Sequence, residues 1–207
     1  MVKVKICGIT NLGDAMWAVN LGTDMLGFIF FKDSPRKISQ QKAREITAQL
    51  PAFVKKVGVF VNEDPKVVEK IAKACGFDIL QFHGEETQEY CNAFAGNYEV
   101  IKALRVKDEP GLSVIQNYDV NYILLDTFIE DVQGGTGRTF NWDLAVKAKS
   151  FNRPIILSGG LSIDNVTEAI KKVQPFAVDV ASSIERMPGK KDYEAMKEFI
   201  AKARRAG

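Results

Sequence analysis

Short apolar runs alternate with stretches of helical periodicity from one end of this chain to the other. Residues 26–31 and 57–61 are almost wholly apolar, which is typical of strands that are covered on both faces. Between such runs, apolar residues recur every three or four positions, as they do on one face of a helix. The pattern predicts eight strands, at residues 2–7, 25–31, 54–61, 78–82, 99–105, 121–126, 154–158 and 176–181.

Local signals mark where several of the helices begin and end. Pro65 and Gly76 bracket an apolar stripe, which predicts a helix with Asp64 as its N-cap and Gly76 at its left-handed exit. Ser39 is the predicted cap of a helix over residues 40–50, and Ser162 the predicted cap of a later one. Helices therefore fill the gaps between the predicted strands.

Eight strands alternating with about eight helices place the chain in the α/β class, with right-handed βαβ units and a parallel sheet. Closing eight parallel strands into a (β/α)8 TIM barrel removes both sheet edges, and ~200 residues is the lower limit for that fold. An open doubly wound sheet is the alternative, but it often carries Gly-x-Gly-x-x-Gly after its first strand, and residues 7–11 lack that fingerprint. We expect a single barrel domain over residues 1–207, because no linker divides the chain.

Composition and charge narrow the classes of function. The 207 residues carry a formal charge of +2, which is not the basic excess that nucleic acid or an anionic membrane demands. No run reaches the ~18 apolar residues of a membrane span, and the first residues read as a strand rather than a signal peptide. Three cysteines do not form a secreted disulfide framework, and Cys75 and Cys91 read as buried structural thiols. We expect a cytoplasmic protein with no nucleic-acid or membrane partner.

Two reactive side chains stand where predicted strands end. Cys7 ends the first strand and Asp126 the sixth, and in a β/α barrel the carboxyl ends of the strands build the active site. A thiol and a carboxyl group there can accept and donate protons on one substrate. Lys5, one layer below Cys7 on the same face, could lower the pKa of the thiol. The alternative is that Cys7 is a small core residue and that Lys5 is half of a buried ion pair.

Small residues follow the seventh and eighth strands, which is the usual phosphate-binding position in this fold. Backbone N–H groups approach a phosphate closely only where side chains are small, and this suits Gly159, Gly160, Ser182 and Ser183. A Gly-Gly pair alone can also be an ordinary tight turn. Two such loops in the expected positions favour a phosphorylated small-molecule substrate.

The remaining candidates concern substrate binding. Arg36 follows Pro35 in the second loop, where it could hold a carboxylate, with a surface ion pair as the alternative. His83 is the only histidine, so neither a His-based metal site nor a Ser-His-Asp triad is expected. His83 is predicted to line the site or to position another group in it, rather than to catalyse. The aperiodic segment 127–139 is predicted to be a lid or binding loop, or else a flexible connector.

A set of short motifs runs colinearly over almost the whole chain. They are Lys-Ile-Cys-Gly-Ile-Thr at 5–10, Gly-Phe-Ile-Phe at 27–30, Ser-Pro-Arg at 34–36, Val-Gly-Val-Phe-Val-Asn at 57–62, Gln-Phe-His-Gly at 81–84, Leu-Leu-Asp-Thr at 124–127, Gly-Gly-Thr-Gly-Arg-Thr-Phe at 134–140, Leu-Ser-Gly-Gly-Leu at 157–161, Val-Asp-Val at 178–180 and Pro-Gly-Lys-Lys-Asp at 188–192. Together they resemble the phosphoribosylanthranilate isomerase family. One departure is Ala-Ser-Ser at 181–183, where the family commonly has Ser-Ser-Gly, and a positive φ would cost Ser183 more than glycine.

The resemblance implies a (β/α)8 barrel enzyme of tryptophan biosynthesis. Its reaction would be the Amadori rearrangement of N-(5-phosphoribosyl)anthranilate to 1-(2-carboxyphenylamino)-1-deoxyribulose 5-phosphate, with no cofactor. It also implies that Cys7 is the general base, that Asp126 is the general acid, and that Arg36 holds the anthranilate carboxylate. Another phosphate-binding barrel enzyme acting on a sugar phosphate, or a barrel that only binds such a ligand, remains an alternative. The oligomeric state is open, with a homodimer among the options.

Overall fold

The computed structural model describes residues 1–127 and 142–207, and its centre is a closed barrel of eight parallel strands. Each strand pairs with the next along the chain, and the first pairs with the eighth to close the barrel. The predicted fold is therefore confirmed. The strands are β1 (Lys3–Cys7), β2 (Met25–Ile29), β3 (Lys55–Phe60), β4 (Ile79–Phe82), β5 (Glu99–Val106), β6 (Tyr122–Thr127), β7 (Ile155–Leu157) and β8 (Ala177–Val180).

Helices connect the strands on the outside of the barrel. Over residues 1–127 and 142–207 they are α1 (Leu12–Asn20), α2 (Gln40–Thr47), α3 (Pro65–Cys75), α4 (Gln88–Asn92), α5 (Trp142–Ala148), α6 (Val166–Val173) and α7 (Tyr193–Ala206). A 3-10 helix, Pro110–Asn117, links β5 to β6 in place of an α-helix, and it begins with proline and glycine, the two weakest helix formers. None of the helices described here is long and apolar enough to cross a membrane.

Two shorter elements follow β8 at the carboxyl end of the barrel. Residues Ser182–Ile184 form one 3-10 turn. The strands β9 (Glu185–Met187) and β10 (Lys190–Lys191) then form an antiparallel pair before α7 begins. After its last barrel strand the chain therefore turns back to the end of β1, where Lys191 Nζ donates to the Cys7 carbonyl.

The predicted caps are correct in two cases and wrong in one. The side chains of Asp64 and Ser39 each accept a hydrogen bond from a backbone N–H in the first turn of α3 and α2. Gly76 ends α3 in the left-handed conformation, at φ 60°. Ser162 does not cap α6, because that helix begins only at Val166. The Ser162 hydroxyl instead accepts a hydrogen bond inside the preceding turn.

Apolar side chains form two layers, one inside the barrel and one between the strands and the helices. Cys7 and Leu124 belong to the same interior cluster. Because alternate residues of a strand share a face, Lys5 lies on the Cys7 face and Asp126 on the Leu124 face. The interior layer contains Cys7, Met25, Val57, Val59, Ile79, Ile101, Ala103, Leu124, Ile156 and Ala177.

Candidate functional site

A cavity of about 230 Å³ lies at the carboxyl ends of the barrel strands. It brings together seven of the eight residues proposed from the sequence, namely Cys7, Arg36, His83, Asp126, Gly159, Gly160 and Ser182. The eighth, Ser183, does not line the cavity. Its hydroxyl donates a 2.6 Å hydrogen bond to the carbonyl of Leu161 and so connects the loops after β8 and β7.

Cys7 ends β1 with its thiol buried in a space that a neighbouring glycine leaves open. It pairs in register with Gly27 of β2, and a Cβ added to Gly27 would lie 2.7 Å from the Cys7 Sγ. Burial raises the pKa of the Cys7 thiol, and the nearby Lys5 cation offsets only part of that rise. The Cys7 thiolate, once formed, is therefore a strong base.

Lys5 and Asp179 form a buried ion pair beside the thiol. Their charged atoms are 2.9 Å apart, and the Ser158 hydroxyl lies 3.1 Å from the second Asp179 oxygen. Burial disfavours the charged form of Lys5, but the Asp179 carboxylate and the Cys7 thiol outweigh it, so the pKa of Lys5 is raised. A permanent cation therefore stands next to the Cys7 sulfur.

The other two cysteines of the chain lie in the layer between strands and helices. Both are free thiols, and burial raises the pKa of Cys75 and of Cys91 to about 11. Neither lines the cavity. They fit the structural role that the sequence predicts.

Asp126 is connected to two other polar side chains. Its Oδ2 lies 3.0 Å from Nε2 of His83, whose Nδ1 lies 3.0 Å from Nε2 of Gln81. When the Gln81 amide donates to Nδ1, the imidazole proton resides on Nε2 and is donated to Asp126. Gln81 is 1% exposed, and its Oε1 has no hydrogen-bond partner among the described residues.

A second buried ion pair fixes the loop that carries His83. Lys102 and Glu86 are both 1% exposed at the side chain and are joined by a 2.7 Å contact. The Glu86 carboxylate also accepts hydrogen bonds from the backbone N–H groups of Asn62 and Gly84. The loops after β3 and β4 are therefore held together directly beside His83.

Gly159 and Gly160 adopt the left-handed conformation in succession, with φ of 72° and 66°. Within the described ranges, neither of their N–H groups donates to a protein acceptor. Backbone N–H groups in a turn that are not bonded within the protein can bind an anion. Ser183, by contrast, has no positive φ, so the absence of the family's glycine causes no backbone strain there.

Arg36 reaches the cavity past a second glycine. Gly8 has a φ of +79°, and a Cβ on it would lie 2.7 Å from the Arg36 Cδ. The guanidinium pairs with Glu185, whose side chain is 3% exposed, at 2.8 Å from Nη2. Arg36 therefore does form an ion pair, as the alternative from the sequence has it, but the carboxylate partner is buried and Arg36 also lines the cavity.

Four polar residues at this site were not selected from the sequence: Gln81, Asp179, Glu185 and Lys191. Gln81 and Asp179 could have been identified from the alternation of faces along a strand, since both lie on strands that end in the cavity. Apart from Thr127, the last residue of β6, the lid predicted at 127–139 lies outside the described part of the chain. Over the described residues, no group of three or more His, Cys, Asp or Glu is placed to hold a metal ion.

Comparison with known proteins gives one consistent result. The family model described as N-(5'phosphoribosyl)anthranilate (PRA) isomerase matches residues 4–202. A protein of that name from Pelobacter propionicus is 51% identical over 200 residues, covering 97% of this chain and 94% of its own. Monomers of the dimeric phosphoribosylanthranilate isomerase from Thermotoga maritima match with a TM-score of 0.89 and 44% identity, over 99% of both chains.

A further solved structure matches with a TM-score of 0.89 and 43% identity, again over 99% of both chains. It is a phosphoribosyl anthranilate isomerase in complex with reduced 1-(o-carboxyphenylamino)-1-deoxyribulose 5-phosphate. The family match spans nearly the entire chain, and the relatives share its barrel. This chain therefore belongs to the N-(5'-phosphoribosyl)anthranilate isomerase family.

Proposed function

We propose that this protein is an isomerase of tryptophan biosynthesis that converts N-(5'-phosphoribosyl)anthranilate to 1-(2-carboxyphenylamino)-1-deoxyribulose 5-phosphate, with Cys7 as general base and Asp126 as general acid. The observation that carries the proposal is that this thiol and this carboxyl group, from β1 and β6, line one cavity. Family membership and the complex of the 43% identical relative support the reaction.

Asp126 begins the reaction by protonating the furanose ring oxygen, so that the ring opens to a Schiff base. When the imidazole proton is on Nε2, Oδ2 of Asp126 accepts the hydrogen bond from His83, which leaves Oδ1 to carry the acidic proton. The hydrogen bond fixes the carboxyl group in one orientation. A positioned acid of this kind typically accelerates the step by ~10²–10⁴-fold.

Cys7 completes the reaction as the base. The cationic imine acidifies the proton on the neighbouring carbon, and the Cys7 thiolate removes it to give an enolamine, which tautomerises to the ketone. The Lys5 cation favours the thiolate form. The electron sink is the imine of the substrate itself, so the chemistry requires no cofactor.

The two ends of the substrate are both anionic, and the cavity offers a cationic or N–H group for each. In this proposal Arg36 holds the anthranilate carboxylate, and Gly159 and Gly160 hold the phosphate. The proposal is supported by these three residues and Ser182 lining one cavity, with Ser183 next to Ser182 in the adjoining loop. Arg36 follows β2, and Gly159 and Gly160 follow β7. In the closed barrel, β1 and β8 lie between these two strands. A substrate that spans them places its reacting carbons next to Cys7.

The decisive test is turnover of N-(5'-phosphoribosyl)anthranilate by the purified protein, followed as loss of substrate fluorescence. We expect turnover by the wild type and by Cys75→Ala, a control that removes a buried thiol elsewhere. No turnover with this substrate, together with conversion of another sugar phosphate, would favour the alternative barrel enzyme. Ligand binding with no turnover of any sugar phosphate would favour a binding protein.

A homodimer is the second part of the proposal. Its support is that the Thermotoga maritima relative, 44% identical over 99% of both chains, is dimeric. Sedimentation equilibrium should then give twice the chain mass of 23.0 kDa. A mass that stays at the single-chain value over the full concentration range would contradict it.

A further inference from the structure

We propose that Glu185 is a positioning residue for substrate binding: it holds the Arg36 guanidinium in place, and the buried Lys191 gives their cluster the net positive charge that attracts the anthranilate carboxylate. This inference rests on the proposed function, because it assumes that Arg36 is the group that meets the carboxylate. It adds a carboxylate and an ammonium group that do not themselves touch the substrate.

The contacts of Arg36 leave one side of the guanidinium for a ligand. Its Nε lies 2.9 Å and 3.0 Å from the two Glu185 oxygens, and its Nη2 lies 2.8 Å from one of them. Within residues 1–127 and 142–207, Nη1 has no hydrogen-bond partner. Arg36 lines the cavity. Because the guanidinium is planar and rigid, fixing one edge also fixes where the remaining donors point.

Lys191 decides the charge of this cluster. Its side chain is 0% exposed, and its Nζ donates to the carbonyls of Cys7 and Ala181 and to Glu185, at 2.6, 2.9 and 2.8 Å. Three acceptors match the three N–H donors of a charged ammonium group. Burial lowers the pKa of Lys191, and its hydrogen bond to the Glu185 carboxylate opposes that fall. With Lys191 protonated, the three groups Arg36, Lys191 and Glu185 carry a net charge of +1, whereas Arg36 and Glu185 alone would be neutral.

The same contacts tie the carboxylate-binding group to the strand that ends in the proposed base. Lys191 donates to the Cys7 carbonyl at the end of β1, and Glu185 and Lys191 stand opposite each other in the β9–β10 pair. Burial disfavours the charged form of Glu185, but Arg36 and Lys191 outweigh it and lower its pKa. Glu185 therefore stays ionised and holds Arg36 at neutral pH.

The test compares two ligands that differ only in the carboxylate. The first is reduced 1-(o-carboxyphenylamino)-1-deoxyribulose 5-phosphate, and the second is its phenylamino counterpart without the carboxyl group. Calorimetry should show that Glu185→Gln weakens binding of the first by about 10- to 100-fold, because losing the hydrogen bonds that orient the charged guanidinium outweighs the added positive charge of the cluster, and changes binding of the second by less than about 3-fold. In steady state, KM should rise while kcat stays within about 3-fold.

Arg36→Met separates this inference from the proposed function. If Arg36→Met still discriminates between the two ligands as the wild type does, the assignment of Arg36 itself is wrong. If it loses that discrimination but Glu185→Gln binds like the wild type, only the role of Glu185 is wrong. In the Arg36→Met background, Glu185→Gln should add no further loss, since it acts through Arg36.

Two other results would also overturn the inference. If Glu185→Gln weakens binding of both ligands equally, the substitution disturbs the loop in general. If it tightens binding of the carboxylated ligand, Glu185 competes with that ligand for Arg36. If Glu185→Gln does not fold, Glu185→Asp provides the same comparison, because it keeps the charge but is one methylene too short for the bidentate contact. Glu185→Asp should then weaken binding of the carboxylated ligand only.

Discussion

Lys5 and Asp179 are register partners on β1 and β8, the two strands that close the barrel, and their charged atoms lie 2.9 Å apart. The side chain of Lys5 is 0% exposed and that of Asp179 7% exposed. Cys7 follows Lys5 by two residues on the same face of β1 and ends in the cavity. The proposed base is therefore placed next to a cation that the neighbouring strand holds in position.

Replacing Lys5 should move the pH dependence of the reaction. A base acts only after losing its proton, so kcat/KM rises with pH through the pKa of Cys7, which burial raises above its usual value. Lys5 is a group that lowers that pKa. Lys5→Met should therefore shift the rise to higher pH by about 1–3 units, the effect of an adjacent opposite charge.

Lys3→Met is the matched control for that profile, because Lys3 lies on the same strand with a side chain that is 50% exposed. Rates measured from neutral to alkaline pH should give the same profile for Lys3→Met and wild type. A Lys5→Met profile that coincides with both would show that Lys5 does not act on the base.

Removing either proposed proton-transfer group should stop turnover without preventing binding. Cys7→Ala removes the base, and Asp126→Asn keeps the shape of the acid while removing its proton. Each should lower kcat by at least about 10²–10⁴-fold. The Kd of reduced 1-(o-carboxyphenylamino)-1-deoxyribulose 5-phosphate, measured by calorimetry, should change little. Near-normal kcat in either variant would refute the role of that residue.

Gly27→Ala should displace the thiol. The new Cβ would lie 2.7 Å from the Cys7 Sγ, closer than such atoms can approach, and in a tight contact of 3.2 Å with the Cys7 Cα, so the sulfur has to move. Misplacing a reacting group by about 1 Å can cost about 10²-fold in rate. We expect a loss of that order in kcat. Gly96→Ala is the control, because no atom lies within 4 Å of its added Cβ, and equal rates for the two variants would contradict the argument.

The barrel, and the position of Cys7 and Asp126 at one cavity, could be predicted from the sequence because both follow from local patterns. Uninterrupted apolar runs indicate strands covered on both faces, and the rule that barrel sites form at carboxyl strand ends selects Cys7 and Asp126. The prediction that Ser162 caps α6 is wrong because the Asn165 side chain binds the Ser162 N–H and shapes the turn before the helix. That contact depends on how the turn folds, and the preference of serine for N-cap positions does not specify it.

The positioning groups were missed because their partners are remote in sequence. Lys191 stands in a run of polar residues that reads as solvated surface, yet it is 0% exposed and binds the carbonyl of Cys7 at the other end of the chain. Glu185 is likewise recognisable only once Arg36 is seen beside it. Composition and periodicity describe single elements, whereas these contacts depend on the closure of the barrel.

Glu86 should contribute strongly to stability as well as to the position of His83. Glu86→Gln leaves the Lys102 ammonium buried and without its anion, and breaking a buried pair typically costs about 3–5 kcal/mol. The free energy of unfolding, measured by urea denaturation, should fall by that amount. Glu194→Gln is the control, because it breaks an exposed ion pair: the Glu194 side chain is 75% exposed and that of its partner Lys197 is 56% exposed. This substitution should change the free energy of unfolding by less than about 0.5 kcal/mol. Equal effects of the two substitutions would mean that the Lys102–Glu86 pair is not what fixes the loops beneath His83.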